Sequence, residues 1–456
     1  MTLGRKGLLA MCTVVLLSGL ASLPSAAQPA ASPAAPAATV SAAPAPAAPE
    51  QAYTLPPDKL ARAIALSHIR IILGIAGAIW DIVFLWLLLA TRGWAALERW
   101  AQRISSRRWV QGLVFFACFF VLTRLAGLPL GGIAHHYERA YGISVQGWGS
   151  WLGDDAKALG LMLLLGVPIL LLFHWVVKRW PRRYWLRAWV LTLPILVFSI
   201  FLEPLFEPIF YQFEPLQKNH VALVTELENV VARTGTNIPP SRMYLMKASV
   251  KTNGLDAYVS GLGATKRIVV WDTTAGRIPD DEVLFIFGHE SGHYVLHHIP
   301  KEFAGDAAGL LFVFWAGAGF AAWLVKRYGA RWIGLKPEGS VQPEPPLASR
   351  TGFVVLLFAI SIVGFVTEPA GNAFSRYFEH QADVYGQEAI HGIVADPQKT
   401  AVAAFNDLGA AWLEDPHPNA FIVFWLYDHP SIQHRAQFAQ QYDPWANGGH
   451  GEFFKN

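Results

Sequence analysis

Only two cysteines occur in 456 residues, Cys12 in an N-terminal apolar stretch and Cys118 in a later one, which excludes a disulfide framework and a cysteine-built metal centre. Charge is scarce too. Asp, Glu, Lys and Arg make up 15% of the chain against 53% hydrophobic residues, too little polar surface to cover a water-exposed globule of this size. The 36 basic and 33 acidic side chains nearly cancel at a net charge of +3, so no global field favours a nucleic-acid partner. The composition is instead that of a membrane protein, with 18 Trp, 28 Phe and, as the polar surplus, 15 His.

Residues 1–27 place Arg5 and Lys6 before an apolar run that ends in Ser25-Ala26-Ala27, the layout of a secretory signal peptide. The alternative is an uncleaved first membrane helix. The stretch 28–52, nearly all Ala and Pro, cannot build a core and reads as an extended tether. Six later stretches, near 71–90, 110–130, 159–177, 188–205, 307–325 and 352–366, are long and apolar enough to span a bilayer as helices. Asp81 and Arg124 fall inside such stretches, where a charge must face another charge or a wet cavity.

Basic residues collect after the first span (Arg92, Arg99, Arg103, Arg107, Arg108), after the third (Lys178, Arg179, Arg182, Arg183, Arg187) and after the fifth (Lys326, Arg327, Arg331, Lys336). Positive loops stay in the cytoplasm, so the remaining polar regions face away from it. The predicted organisation is a four-span membrane domain at 53–206, a first polar segment at 207–303, a two-span hairpin at 304–367 and a second polar segment at 368–456. The fold class expected is mainly α: a polytopic helical membrane protein whose two polar segments form one split domain containing a small β element. Val221–Ala232 reads as an amphipathic helix and Tyr258–Thr273 as a hairpin or edge strand.

Asp280-Asp281-Glu282 opens a further helix, with acidic residues where the helix dipole favours them. That helix carries His289-Glu290-Ser291-Gly292-His293. Residues four apart share a helical face, so both imidazoles can close on one Zn²⁺ while Glu290 reaches the metal's water. A metzincin would carry a third His at position 299, which is Ile. His297 and His298 read as surface residues or neighbours of the ligands. The third ligand is sought in Asn372-Ala-Phe-Ser-Arg376-Tyr-Phe-Glu379-His-Gln-Ala-Asp383, where Glu379 and Asp383 share a helical face and one carboxylate can bind metal while the other orients an imidazole. Arg376 and Glu379 are also spaced for a surface ion pair.

These motifs resemble the type I CAAX prenyl proteases, membrane-embedded gluzincin-type zinc endopeptidases, and the resemblance implies that the segments 207–303 and 368–456 are the two catalytic parts of a split zincin-like metalloprotease domain. The resemblance covers most of the chain after the leader. It includes Pro208-Ile-Phe-Tyr-Gln-Phe-Glu-Pro-Leu216, Asp256-Ala-Tyr-Val-Ser-Gly-Leu-Gly263, Arg267-Ile-Val-Val-Trp-Asp272, the His289 and Asn372 blocks, Asp415-Pro-His-Pro and Asp428-His429-Pro-Ser-Ile-Gln-His-Arg435. It implies one zinc ion held by His289, His293 and Glu379, Glu290 as general base, Asp383 behind the ligands, and His429 as a substrate or transition-state contact. His429, or Arg435 behind it, would stabilise the oxyanion. The resemblance also implies that the strand through Asp256, Ala257 and Tyr258 pairs with an extended substrate. Departures occur at Asp256 and at Tyr211-Gln, where the family usually has Asn and Asn-Lys.

The expected activity is zinc-dependent endoproteolysis of membrane-associated or envelope proteins, with the bilayer and a protein or peptide substrate as partners, no nucleic acid and no inferable obligate protein partner. The expected location is a bacterial inner membrane with the catalytic domain facing the periplasm. The alternatives are C-terminal processing of prenylated CAAX proteins, which needs a cytosolic site, and a non-catalytic membrane chaperone or scaffold, which leaves Glu290 unexplained. A site-2-type protease is disfavoured, since no later span carries Leu-Asp-Gly.

Overall fold

The structure, a computed structural model, describes residues 51–335 and 344–455. The expected signal peptide, and all of the expected tether except 51–52, lie outside the described residues. Among the described residues, six helices are long and apolar enough to cross a membrane. They are α1 (Pro57–Ala90), α3 (Arg108–Ala140), the pair α4 (Trp148–Leu161) and α5 (Val167–Arg179) joined through one π turn, α6 (Tyr184–Phe210), α9 (His298–Trp332) and α10 (Arg350–Ala389). A short helix, α2 (Gly93–Ile104), links α1 to α3. Each expected span lies within one of these helices, and each helix continues beyond it. The unbroken 40 residues of α10 rise about 60 Å, twice a hydrocarbon core, so the helix projects far beyond the bilayer. It passes through the sequence-based boundary at 367–368 without a break. Inside the bundle, Arg124 of α3 pairs with Asp155 of α4, which satisfies a charge placed within a span.

The two largest apolar cores among the described residues follow from the division of polarity. One joins the spans around Phe115, Phe116, Phe119 and Phe120 with Leu356 and Leu357 of α10. The other unites the two polar segments: Leu227 of α7 (Val221–Thr234), Ile268 and Val270 of the sheet, Phe285 and Phe287 of α8 (Asp280–Val295), Tyr385 of α10, Phe405 of α11 (Pro397–Trp412) and Ala436 of α13 (Ile432–Gln441). Tyr53 belongs to this second core, fully buried, with its hydroxyl donating to the Glu414 carbonyl at 3.0 Å. The residue just ahead of the first span is therefore fastened to the distant polar domain.

Four strands, β1 (Phe213–Pro215), β2 (Met243–Met246), β3 (Ala257–Ser260) and β4 (Arg267–Trp271), form one sheet in the order β1-β2-β4-β3. β2 and β4 run parallel; the outer pairs are antiparallel. The expected hairpin is thus β3-β4, and β3 lies at the sheet edge beside α8.

α8 and α10 cross at glycines. A Cβ on Gly386 would come within 2.8 Å of the His289 backbone nitrogen, and one on Gly288 within 3.0 Å of the Gly386 carbonyl. This close approach lets carboxylates on α10 reach imidazoles on α8. Gly386→Ala is expected to force the helices apart, lowering stability by about 1–3 kcal/mol and loosening metal retention, read by thermal unfolding and chelator competition.

Near the start of α8, Glu282 is buried against Asp407 of α11; burial and the neighbouring Asp407 carboxyl push its pKa from 4.5 up to about 8. The folded state holds this proton more tightly than the unfolded chain, so its stabilising effect is complete below pH 4.5 and is lost as pH rises through about 8. Glu282→Gln should flatten that loss, with a melting temperature about 1–3 °C above wild type at pH 9 and little difference at pH 5.

Candidate metal centre

The His-Glu-x-x-His helix presents His289 and His293 inward, with their Nε2 atoms 3.3 Å apart and both rings buried. α10 brings Glu379 against them: its Oε2 lies 3.4 Å from His289 Nε2 and its Oε1 3.8 Å from His293 Nε2. These three residues form the one His/Cys/Asp/Glu group among the described residues that is compact enough to hold a metal ion. Ligands about 2.0–2.1 Å from a tetrahedral zinc stand roughly 3.4 Å from each other, and the observed spacing matches that edge length.

The far nitrogen of each imidazole is also held. His289 Nδ1 lies 2.9 Å from Asp383 Oδ1, and Arg435 of α13 clamps the same carboxylate with Nε at 2.9 Å and Nη2 at 2.5 Å. His293 Nδ1 faces Nδ1 of the fully buried His298 at 3.3 Å, and His298 lies against the Phe378 ring. Such partners fix ring orientation and tautomer. His298 reaches this place because His297, with φ of 57°, takes a left-handed turn between α8 and α9. His297 itself is exposed.

Burial disfavours a charged His289, yet its hydrogen bonds to Asp383 and Glu379 override that and push its pKa up to about 9. Two buried carboxylates facing the histidine pair call for positive charge at this point, which is what a bound cation provides. Glu290, half-buried, sits one position round the helix from His289.

His429 enters from the loop after α12 (Ala420–Leu426), its Nε2 3.1 Å from Glu379 Oε2 and its Nδ1 2.7 Å from Asp428 Oδ1. Burial opposes its charge, but Glu379 and Asp428 prevail and raise its pKa to about 10. Arg376 does not form the surface pair with Glu379 that its spacing allowed. Its guanidinium donates to the carbonyls of Val423 at 3.0 Å and Tyr427, while Asn372 Nδ2 donates to Trp425 O at 2.7 Å. These two residues hold the end of α12 and so set the approach of His429. Arg376→Ala is expected to lower cleavage about 10- to 100-fold with metal content unchanged, and Arg376→Lys to restore part of it.

The candidate substrate strand is placed alongside. Trp271 N donates to Asp256 O at 3.1 Å, so the backbone groups of Asp256 and Tyr258 face β4 while those of Ala257 and Val259 face the edge that pairs with no other strand, in a strand buried throughout. The Tyr294 hydroxyl, from α8, donates between Val259 O at 3.2 Å and Gly261 O at 3.0 Å, leaving the edge around Ala257. The Tyr258 hydroxyl donates to Glu207 of α6 at 2.7 Å, tying the strand to a span; Arg267 also binds Glu207. Burial raises the pKa of Asp256, against the opposing pull of His429.

A buried His/His/Glu centre, built where a span projects beyond a six-helix bundle, defines a membrane-embedded metalloendopeptidase. The profile of peptidase family M48 matches residues 218–443, and that of the CAAX prenyl protease N-terminal region, five membrane helices, matches 39–212. YhfN of Bacillus subtilis (strain 168), an uncharacterized metalloprotease, is 32% identical over 396 residues, covering 86% of this chain and 88% of its own length. CAAX prenyl protease 1 of Saccharomyces cerevisiae is 24% identical, with 71% of each chain covered, and the CAAX prenyl protease 1 homolog of Homo sapiens is 23% identical over 72% of this chain and 73% of its own. The crystal structure of S. mikatae Ste24p shares the fold with a TM-score of 0.70 at 21% identity, covering 85% of this chain and 89% of that one. The chain belongs to the CAAX prenyl protease family of M48 metallopeptidases.

Proposed function

We propose that this protein is a zinc endopeptidase of a bacterial inner membrane, with its catalytic domain on the periplasmic side, that cuts membrane-associated or envelope proteins. The observation that carries the chemistry is the His289–His293–Glu379 cluster, whose spacing and donor set suit one Zn²⁺. Bound there, zinc would supply Lewis acidity and an acidified water. Glu290 takes a proton from the attacking water as the water's oxygen bonds to the scissile carbonyl carbon and the C=O π pair moves onto the carbonyl oxygen, then delivers that proton to the amine as the C=O bond re-forms and the C–N bond breaks. Asp383, held by Arg435, keeps His289 oriented. His429 is the donor for the developing oxyanion. Arg435 is committed to Asp383, so its substrate role is indirect. Extended substrate adds to the unpaired edge of β3 at Ala257, using backbone groups that need no particular side-chain sequence.

The split catalytic domain, 207–303 with 368–456, is supported by the single core that both segments share. Sidedness is supported by the convergence of the basic segments at one end of the bundle. Lys178 pairs with Glu344 at 2.6 Å, and Arg92 Nε donates to Arg331 O at 2.7 Å, joining turns distant in sequence. C-terminal processing of CAAX proteins is the second reading, favoured by the names of the yeast and human relatives. Alkaline phosphatase fused after Asn456 separates them: phosphatase activity supports the periplasmic reading, and its absence with fluorescence of a cytoplasm-only reporter at the same position overturns it.

A further inference from the structure

α2 contributes nothing to the metal centre, yet its two faces differ sharply. Trp94 and Ala101 are buried against the bundle. Arg99, Trp100, Arg103 and Ile104 are exposed, and exposed Arg107, Arg108 and Trp109 follow at the start of α3. Because α2 joins two spans through short turns, 91–92 and 105–107, it lies where those spans leave the bilayer. Exposed indole and aliphatic groups beside guanidinium groups are the composition of a helix seated in a membrane interface.

The acids nearby are already committed. Glu98 accepts the backbone N–H groups of Arg350 and Thr351 at 3.0 and 2.9 Å, and the Thr351 hydroxyl at 2.6 Å, at the N-terminus of α10. Glu344 lies 2.6 Å from Lys178 and 3.6 Å from Arg108. Arg99, Arg103 and Arg107 have no ion pair among the described residues, so their charge is available to a ligand outside the protein. Their position at the bilayer surface selects the ligand.

We propose that α2 and the turn that follows form a docking surface for anionic phospholipid headgroups, with Arg99, Arg103 and Arg107 on the phosphates and Trp100, Ile104 and Trp109 in the acyl boundary. Juxtamembrane arginines each gain from a negative leaflet, and the gain falls with salt. Since Glu98 fastens this helix to the start of α10, headgroup binding also steadies the helix that bears Glu379 and Asp383.

The test uses the full chain in nanodiscs of phosphatidylcholine, with and without about 30 mol% phosphatidylglycerol. Wild type is expected to melt about 3 °C or more higher with phosphatidylglycerol, and the gain to shrink in high salt. The triple variant Arg99→Gln, Arg103→Gln, Arg107→Gln should match wild type in phosphatidylcholine and lose most of the gain. Arg182→Gln with Arg183→Gln, on another basic turn, should keep it. No gain in wild type, a gain that survives in the triple variant, or equal loss in both variants overturns the proposal. Should the triple variant fail to fold, native mass spectrometry of Arg99→Gln and Arg103→Gln singly replaces it: retained phosphatidylglycerol equal to wild type overturns the assignment, and a reduced amount supports it.

Discussion

Glu290→Gln is expected to abolish peptide-bond hydrolysis while leaving the metal in place. Glu290 is not one of the three residues that gather into the compact cluster, so its charge is not needed to hold the ion. Glutamine keeps the size of the side chain and its position on α8, but cannot accept a proton from water or return one to the leaving amine. General acid–base catalysis contributes about 10²- to 10⁴-fold, so a loss of at least that order should appear in cleavage of an unstructured protein such as casein. Metal content by elemental analysis should remain at wild-type level, and a chelator should abolish the wild-type activity. Full activity in this variant would sink the proposed role of Glu290; loss of metal along with activity would make it structural instead.

Asp383→Ala is expected to weaken metal binding about 10- to 100-fold, or roughly 1.4–2.7 kcal/mol. Its carboxylate stands between His289 Nδ1 and the two-pronged contact of Arg435. Removing it frees the imidazole to rotate and leaves a buried guanidinium without its counter-charge, a second penalty that should appear in thermal stability. The two effects are separable. Competition with a chromophoric chelator reads the affinity, and excess metal should restore much of the activity without restoring the melting temperature. Unchanged metal affinity in a folded Asp383→Ala protein would show that Arg435, rather than the histidine ligand, is what this carboxylate serves.

The parts of this site legible in the sequence are those whose geometry is local. His289 and His293 share a face because of helical period alone, and Glu379 with Asp383 repeats that spacing, so each half of the centre was visible within five residues. The six spans were visible because bilayer thickness imposes a minimum apolar length. What was hidden depends on tertiary turns. His298 lies under His293 because His297 adopts a left-handed conformation, uncommon for any residue but glycine and fixed here by the tertiary turn. Arg376 had an equally spaced acidic neighbour, and the deciding factor was a cluster of carbonyls delivered from about 50 residues later. Tyr53 had no apolar pattern around it, and its place in the second core follows from contacts with residues more than 300 positions away.

The unbroken course of α10 has a geometric consequence for how such a protein can adapt to membranes of different thickness. One residue added to the apolar part of this helix would advance Glu379 by about 1.5 Å and swing it about 100° around the axis, away from His289 and His293. Hydrophobic length and site geometry are therefore geared together. A thinner bilayer can be met by tilting the bundle, whereas a thicker one calls for insertions near a whole number of turns, of which seven residues is the smallest that restores the bearing of Glu379 to within about 20°.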